Sequence, residues 1–342
     1  MAVRRYKRGD EDQILPLFER VFNHSIDYNL WKWKYIDNPC TLNPFILVYE
    51  EKGRILGHTA LWVYRAKIMG ISHKIGLRMD AMVDPKARGK GIYKQLSEQL
   101  IVEAEKEGIS LLYGFPAKGA KALLLQYTEA QHVTNVNRWV YVNKPVSLIA
   151  SKIKPLKLFS FIDYGFSFMK GLSDRQKIKK HPFIHKVTSF TNAPTCLSLK
   201  ERIYLQRDID YLNWRYVKHP TNNYEILQWN EQGETKGYIV YCVLTNKQNL
   251  KVGYIVDLIA TGAQRENIEQ SLLIKALEQM KGTSLIQAWT LPGQDNNLIF
   301  RKAGFFIKDS PMPFVVTNIN SEMTDITDPQ KWFISMGDVD SF

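Results

Sequence analysis

The stretch Met79-Asp80-Ala81-Met82-Val83-Asp84-Pro85-Lys86-Ala87-Arg88-Gly89-Lys90-Gly91-Ile92-Tyr93 decides how this chain is read. It passes from an apolar strand, through a tight basic loop with two glycines, into a helix that begins near Lys90. Glycines let backbone N–H groups approach an anion closely. A helix start adds unsatisfied N–H groups and the positive end of the helix dipole. Arg88 and Lys90 add charge. Strand, loop and helix in this order make a phosphate cradle. The plain alternative is an ordinary strand–turn–helix corner with a glycine turn.

Spacing excludes two common cradles. A dinucleotide fingerprint, G-x-G-x-x-G, needs a third glycine where Lys94 stands. A G-x-x-x-x-G-K-[ST] loop does not occur here. The residues resemble the acyl-CoA loop of the GNAT acyltransferases, which reads [QR]-x-x-G-x-[GA] after a strand often ending V-x-P. Here the strand ends Val83-Asp84-Pro85 and the loop is Lys86-Ala87-Arg88-Gly89-Lys90-Gly91. Lys86 departs from the usual Gln or Arg but keeps the charge. The helix continues with Ile92, Leu96, Leu100, Ile101 and Ala104, an apolar stripe at helical spacing. The resemblance implies acetyl-CoA as co-substrate and no metal. It places the cofactor contacts at Met82 and Val83 and at Arg88, Gly89, Lys90, Gly91, Ile92 and Tyr93.

At 342 residues the chain is long for one domain and comfortable for two. Its 45% apolar and 23% charged residues are those of a soluble globular protein. No apolar run reaches the ~18 residues of a membrane span, and the start Met1-Ala2-Val3-Arg4-Arg5 is too polar for a signal peptide. Cys40, Cys196 and Cys242 lie far apart, form no metal spacing and suit a reduced, cytoplasmic chain. The formal net charge of +12 attracts polyanions such as coenzyme A, nucleotide sugars, tRNA or anionic lipid, or is simply a solvated surface.

An internal repeat organises the chain. Aligning Pro39 with Pro220 puts Trp33 on Trp214, Lys34 on Arg215 and Tyr35 on Tyr216. The echo continues through Phe45–Val48 against Tyr224–Leu227, and through Gly53 and Gly57 against Gly233 and Gly237. Asp80-Ala81-Met82-Val83 then parallels Asp257-Leu258-Ile259-Ala260. The second copy lacks the cradle, because Thr261-Gly262-Ala263-Gln264-Arg265-Glu266 has one glycine and an acid. A carboxylate there repels a pyrophosphate. The expected fold is α/β (α+β): two tandem GNAT-like units, each a mixed, mostly antiparallel sheet flanked by helices. The expected domains are 1–145, which binds acyl-CoA, a basic amphipathic linker over 146–184, and a degenerate copy with its tail over 185–342. The linker interleaves lysines with Leu156, Phe159, Phe161 and Phe166. It either touches anionic lipid as a peripheral membrane contact or packs on its own domains. The tail, Trp332-Phe333-Ile334-Ser335-Met336-Gly337-Asp338, resembles endings of GNAT-like proteins in bacterial surface-polysaccharide clusters.

Acyl transfer to an amine needs a deprotonated amine, a polarised thioester carbonyl and a stabilised leaving thiolate. GNAT sites act by direct attack, and positioning supplies much of the rate. Asp80, on the strand entering the cradle, is the candidate base or amine-orienting carboxylate. Asp257 holds the matching place in the degenerate copy, so a structural role for both is an equal alternative. Glu50 and Glu51 are weaker candidates, and His58, His73 and His132 more often satisfy local hydrogen bonds. The family often carries L-Y-x-x-x-G-F on the helix after the next strand, which implies Tyr127 as the acid. Gln131-His132 replaces Gly-Phe here, whereas the second copy has Gly304-Phe305 but Phe300 in place of the phenol. Gly114-Phe115-Pro116 is expected to line the acyl end.

These readings point to an acetyl-CoA-dependent N-acyltransferase acting on a small amine, with a nucleotide-linked amino sugar as one candidate. Nucleic acid is not the expected partner, and the oligomeric state is left open. A Fem-type aminoacyl-tRNA-dependent transferase and a non-catalytic CoA-binding or scaffold protein are the alternatives.

Overall fold

The computed structural model describes residues 2–145, 182–194, 199, 201–319, 323 and 325–341. In chain order the first copy forms β1 (Ala2–Arg5), α1 (Glu11–Phe22), α2 (Tyr28–Tyr35), β2 (Phe45–Glu51), β3 (Arg54–Ile68) and β4 (Ile71–Val83). It continues with α3 (Ile92–Lys106), β5 (Ile109–Gly114), α4 (Lys118–Tyr127) and β6 (Gln131–Val142). The second copy forms β7 (Ile184–Val187), β8 (Ile203–Leu205), α5 (Ile209–Leu212, running into a π-helical turn over Asn213–Val217), β9 (Glu225–Glu231) and β10 (Glu234–Thr245). After these come β11 (Lys251–Ala260), α6 (Arg265–Gln279), β12 (Leu285–Thr290), α7 (Asn296–Lys302) and β13 (Phe306–Asn318). The expected linker lies outside the described residues over 146–181.

Two units result. The first comprises Met1–Asn135, Glu201–Thr221 and Met312–Trp332. In it β1, β2, β3 and β4 pair antiparallel in turn, β4 pairs parallel with β5, and β5 pairs antiparallel with the end of β13. One face of the sheet is sealed by α3: Leu47, Leu61, Val63 and Leu112 meet Ile92, Leu96 and Leu100 in a buried cluster. The stripe read from the sequence is that seam. Gly57 lets the helix come close, since a Cβ there would stand 2.6 Å from Ile92 Cγ2.

The second unit comprises Val136–Lys200, Asn222–Pro311 and Phe333–Phe342. Its strand order repeats the first: β7, β9, β10 and β11 antiparallel in turn, β11 parallel with β12, and β12 antiparallel with β6. Its core joins Trp139, Trp229, Ile239, Leu272, Leu273 and Phe300. Each unit is therefore a mixed, mostly antiparallel sheet with flanking helices.

The division runs differently from the expected split of 1–145 and 185–342. Each unit ends its sheet on the last strand of the other copy. The aromatic segment of the second copy, residues 208–217, also lies in the first unit. The reason is an exchange between matched tryptophans. Trp33 Nε1 donates to the Trp214 carbonyl at 2.9 Å, and Trp214 Nε1 donates to the Trp33 carbonyl at 3.0 Å. Their rings stack at 4.9 Å, with Trp62 edge-on to both. Buried indoles need a hydrogen-bond acceptor, and these two satisfy one another.

Asp10 stands at the start of α1, but its carboxylate accepts from Arg4 and from the Lys7 N–H rather than capping the helix. The tail folds into the second unit through a capping box: the Ser335 hydroxyl accepts from Gly337 N–H, and the Asp338 carboxylate accepts from Ser335 N–H at 2.8 Å.

Candidate active site

The site begins where β4 leaves β5. The two strands pair from Lys74 and Ile109 as far as Leu77 and Tyr113, and there the pairing stops. From Arg78 onward β4 stays with β3 alone, as far as Val83 opposite Gly57. A wedge opens between β4 and β5, and its β4 side is a strand edge with hydrogen-bonding groups to offer.

A bulge re-aims that edge. The β3–β4 register shifts between His58 and Ala60, whose partners are Met82 and Met79. Asp80 takes the left-handed backbone region, with φ 47°. Such a conformation costs about 1 kcal/mol or more for a residue with a Cβ, so something must hold it. Lys34 Nζ donates to Asp80 Oδ2 at 2.6 Å, both side chains being about a tenth exposed. The Tyr35 hydroxyl donates to the same oxygen. The Asp80 carbonyl accepts from His58 Nδ1 at 2.7 Å. A carbonyl only accepts, so Nδ1 carries the proton. His58 is wholly buried, Nε2 has no partner, and burial pushes its pKa below the usual range. Burial raises the Asp80 carboxyl, but the Lys34 ammonium and the two hydrogen bonds outweigh it and hold the pKa below normal. Asp80 is thus an ionised, occupied carboxylate, well placed to hold the bulge and a weak acceptor for an amine proton.

The loop after β4 is built by Asp84 and Pro85. Asp84 Oδ1 accepts from Lys86 N–H at 3.0 Å and starts the single 3-10 turn Pro85–Ala87. Arg20 holds its other oxygen at 3.0 Å. Ala87 is buried in the core, which pins the turn. Gly89 and Gly91 follow with φ 84° and 74°, where a Cβ is strained. Around both glycines the space is open: a Cβ would meet nothing within 4 Å. No side chain caps α3, so its first-turn N–H groups face that space, as an anion site requires. Arg88 and Lys90 are exposed beside it, with Lys90 3.4 Å from Glu51. Met82, Val83, Arg88, Gly89, Lys90, Gly91, Ile92 and Tyr93 are thus brought to one corner. The pyrophosphate of an acyl-CoA fits these residues: free N–H groups, flanking cations and no side chain in the way.

Tyr127 ends α4, partly exposed, with its ring 5.9 Å from Lys94 Nζ of α3. Tyr93 packs beside Leu124 and Val315. Glu50 is engaged by Arg4 at 2.6 Å. His73 and His132 make the local hydrogen bonds expected of them, to Ser110 and Asn135.

One residue escaped sequence reading. Arg78, in the run Ile75-Gly76-Leu77-Arg78-Met79, is the first residue past the last β4–β5 pair. Its Nη2 donates to Thr317 Oγ1 at 3.3 Å, and among the described residues no carboxylate pairs with it. Burial pulls its pKa down to about 10. An arginine in an apolar strand was the available signal.

Residues 2–122 match the family model of the acetyltransferase (GNAT) domain. Solved structures with the same fold include a GCN5-related N-acetyltransferase from Anabaena variabilis, at 11% identity and TM-score 0.62, covering 93% of this chain and 73% of that one. Another GCN5-related N-acetyltransferase, from Kribbella flavida, gives 10% identity and TM-score 0.61 over 94% of this chain and 71% of its own. Eis1 from Mycobacterium abscessus gives 10% identity and TM-score 0.57 over 94% and 75%. No curated protein matches. At these identities the structural likeness is one of fold. The match to the GNAT acetyltransferase domain model lies within the first copy and ends before Tyr127.

Among the described residues no helix is long and apolar enough to cross a membrane, and no group of three or more metal-ligating side chains is found.

Proposed function

We propose that the chain is an acetyl-CoA-dependent N-acyltransferase that works from its first copy in the cytoplasm. The carrying observation is the open corner after β4, where Gly89, Gly91 and the uncapped start of α3 present N–H groups to empty space. The GNAT match over 2–122 supports the same reading. Met82 and Val83 on the β4 edge, and Arg88 to Tyr93, would hold the co-substrate, which supplies the activated thioester carbonyl. Asp80, tied by Lys34, Tyr35 and His58, keeps the bulged edge in shape and so orients the reactants. Tyr127 is the proposed acid for the departing thiolate. The acceptor is a small amine, attacking directly, and the basic chain favours one attached to a phosphorylated carrier such as a nucleotide-linked amino sugar.

Calorimetric titration with acetyl-CoA tests this. Wild type is expected to bind at micromolar Kd and Gly91→Glu not to bind. A folded wild type that ignores acetyl-CoA sinks the proposal.

A further inference from the structure

Arg78 shares a face of the sheet with α3. It stands opposite Leu61, and directly opposed residues in antiparallel strands project to the same side. Leu61 packs on Leu96 and Leu100 of α3. Gly114 of β5 lies directly beside it, and a Cβ there would be 3.4 Å from the Arg78 Cβ. The side chain therefore leaves the closed end of the β4–β5 wedge and passes over Gly114 toward Thr317 of β13, on the face that α3 covers, while Asp80 is held by α2. Roughly 15 Å of strand separates it from Val83 and the phosphate corner. A thioester arm running back from the phosphates along the β4 edge reaches Arg78 last.

Its chemistry is unfinished. Thr317 takes one donor of five, weakly, at 3.3 Å. Among the described residues Nε and Nη1 have no acceptor, yet they are absent from the buried unsatisfied atoms, so they keep some contact with solvent. A partly desolvated cation without a counter-charge is costly, and a guanidinium fork matches a carboxylate in two parallel hydrogen bonds. A transient charge in a transition state would leave this cation unpaired in the resting complex. A permanent anion on a ligand would not.

We propose that Arg78 binds a carboxylate on the transferred acyl group, so that the preferred donor is a dicarboxylic acyl-CoA thioester rather than acetyl-CoA itself. This rests on the acyl-CoA reading of the cradle. The same carboxylate chemistry could arrive on the amine acceptor, and the test has an arm for each source.

Wild-type chain is titrated with succinyl-CoA, butyryl-CoA and acetyl-CoA. Succinyl-CoA is expected to bind at least about tenfold tighter than its four-carbon neutral counterpart. In Arg78→Gln that ratio should fall to within about twofold, and Arg78→Lys should restore part of it. If the acceptor brings the carboxylate, the thioesters bind alike. Acetyl transfer then favours lysine over cadaverine and ornithine over putrescine by about tenfold in kcat/KM, and Arg78→Gln removes that preference. Acetyl-CoA binding with neither preference overturns the role of Arg78 and leaves the cradle standing. A preference that survives Arg78→Gln overturns it too. No binding of any thioester overturns the cradle and this inference together. The wild-type ratios decide the matter even if Arg78→Gln fails to fold.

Discussion

After β4 the first copy leaves the N–H groups of its corner unengaged, whereas after β11 the second copy, although Thr261, Gly262, Ala263 and Gln264 line a cavity of about 910 Å³, spends its strand-end N–H on Glu269. The correspondence is fixed by two glycines, Gly57 under Ile92 and Gly237 under Ile268, each allowing close approach of a helix. Counting from those isoleucines, Arg265 falls where Gly89 lies and Glu269 where Tyr93 lies. Glu269 Oε1 accepts from the Ala260 N–H at 3.2 Å and from Arg265 Nε at 3.0 Å. Arg265 Nη1 reaches Asp295 at 2.9 Å. The N–H at the end of the strand, matching the Val83 N–H of the first copy, is consumed internally. The two corners share one backbone plan, and side chains at two positions decide whether it can accept an anion.

The largest effect should come from forcing the first corner to resemble the second. Gly91→Glu puts a side chain at φ 74° and a carboxylate among the N–H groups. Acetyl-CoA affinity should drop about a thousandfold or more, roughly 4 kcal/mol. Gly262→Glu, at φ 81° in the second corner, carries comparable backbone strain and should leave affinity untouched. Equal losses in both variants would mean that the corners do not differ in function. Next in size is the lock on the bulge. Lys34→Met strands the Asp80 carboxylate and should cost about 3 kcal/mol in chemical denaturation. It should also raise the Kd for acetyl-CoA, because the β4 edge loses its shape. Unchanged stability would show that Asp80 does not depend on Lys34.

Much of this was legible in the sequence. The glycine pair, the Val83-Asp84-Pro85 strand ending and the apolar stripe from Ile92 to Ala104 are local signals, and local signals set the corner. The repeat gave two copies with one strand order, since matched Gly53 and Gly233 turns delimit matched strands. What escaped depends on contacts between residues far apart in the chain. Nothing near Trp214 says that its indole is satisfied by the Trp33 carbonyl, 181 residues away, so the placement of 201–221 with the first unit was not readable. For Asp80 the sequence left a base and a structural role equally open, because its partners Lys34 and Tyr35 are some 45 residues upstream. Glu269 carries no local signal of its role, since the Ala260 N–H that it satisfies belongs to the preceding strand.

The buried Glu269 of the second corner makes the two units respond oppositely to pH. Burial raises the Glu269 carboxyl to about 7, although Arg265 lowers it in part. A group whose folded pKa lies above its unfolded value contributes stability that is complete below the unfolded value and lost as pH rises through the folded one. The second unit should therefore weaken by about 2.5 kcal/mol between pH 5 and pH 8. Glu269→Gln should flatten that slope. In the first unit burial, helped by Arg215, lowers His219 to about 3, and its Nδ1 accepts from Thr221 N–H. Its contribution is present above the usual imidazole pKa and is lost as pH falls. Amide exchange at both pH values would resolve the units. A second-unit slope that persists in Glu269→Gln would remove the carboxyl as its source.

The smallest effect tests the aromatic pair on the last helix of each copy. Tyr127 is partly exposed and forms no hydrogen bond through its hydroxyl among the described residues. Phe300 is buried, stacked on Trp139 at 6.1 Å and edge-on to Phe305 at 5.2 Å. Deleting the Tyr127 hydroxyl should cost little stability, because no buried partner is left unsatisfied. If the phenol gives its proton to the leaving thiolate, Tyr127→Phe should lower kcat about tenfold to a hundredfold with KM for the thioester little changed. Phe300→Tyr does the reverse: it buries a hydroxyl without an acceptor, so it should cost about 1 to 3 kcal/mol of stability while kcat stays put. A Tyr127→Phe variant with wild-type kcat would reduce Tyr127 to a packing residue. The difference between the two copies would then rest on the glycine corner alone.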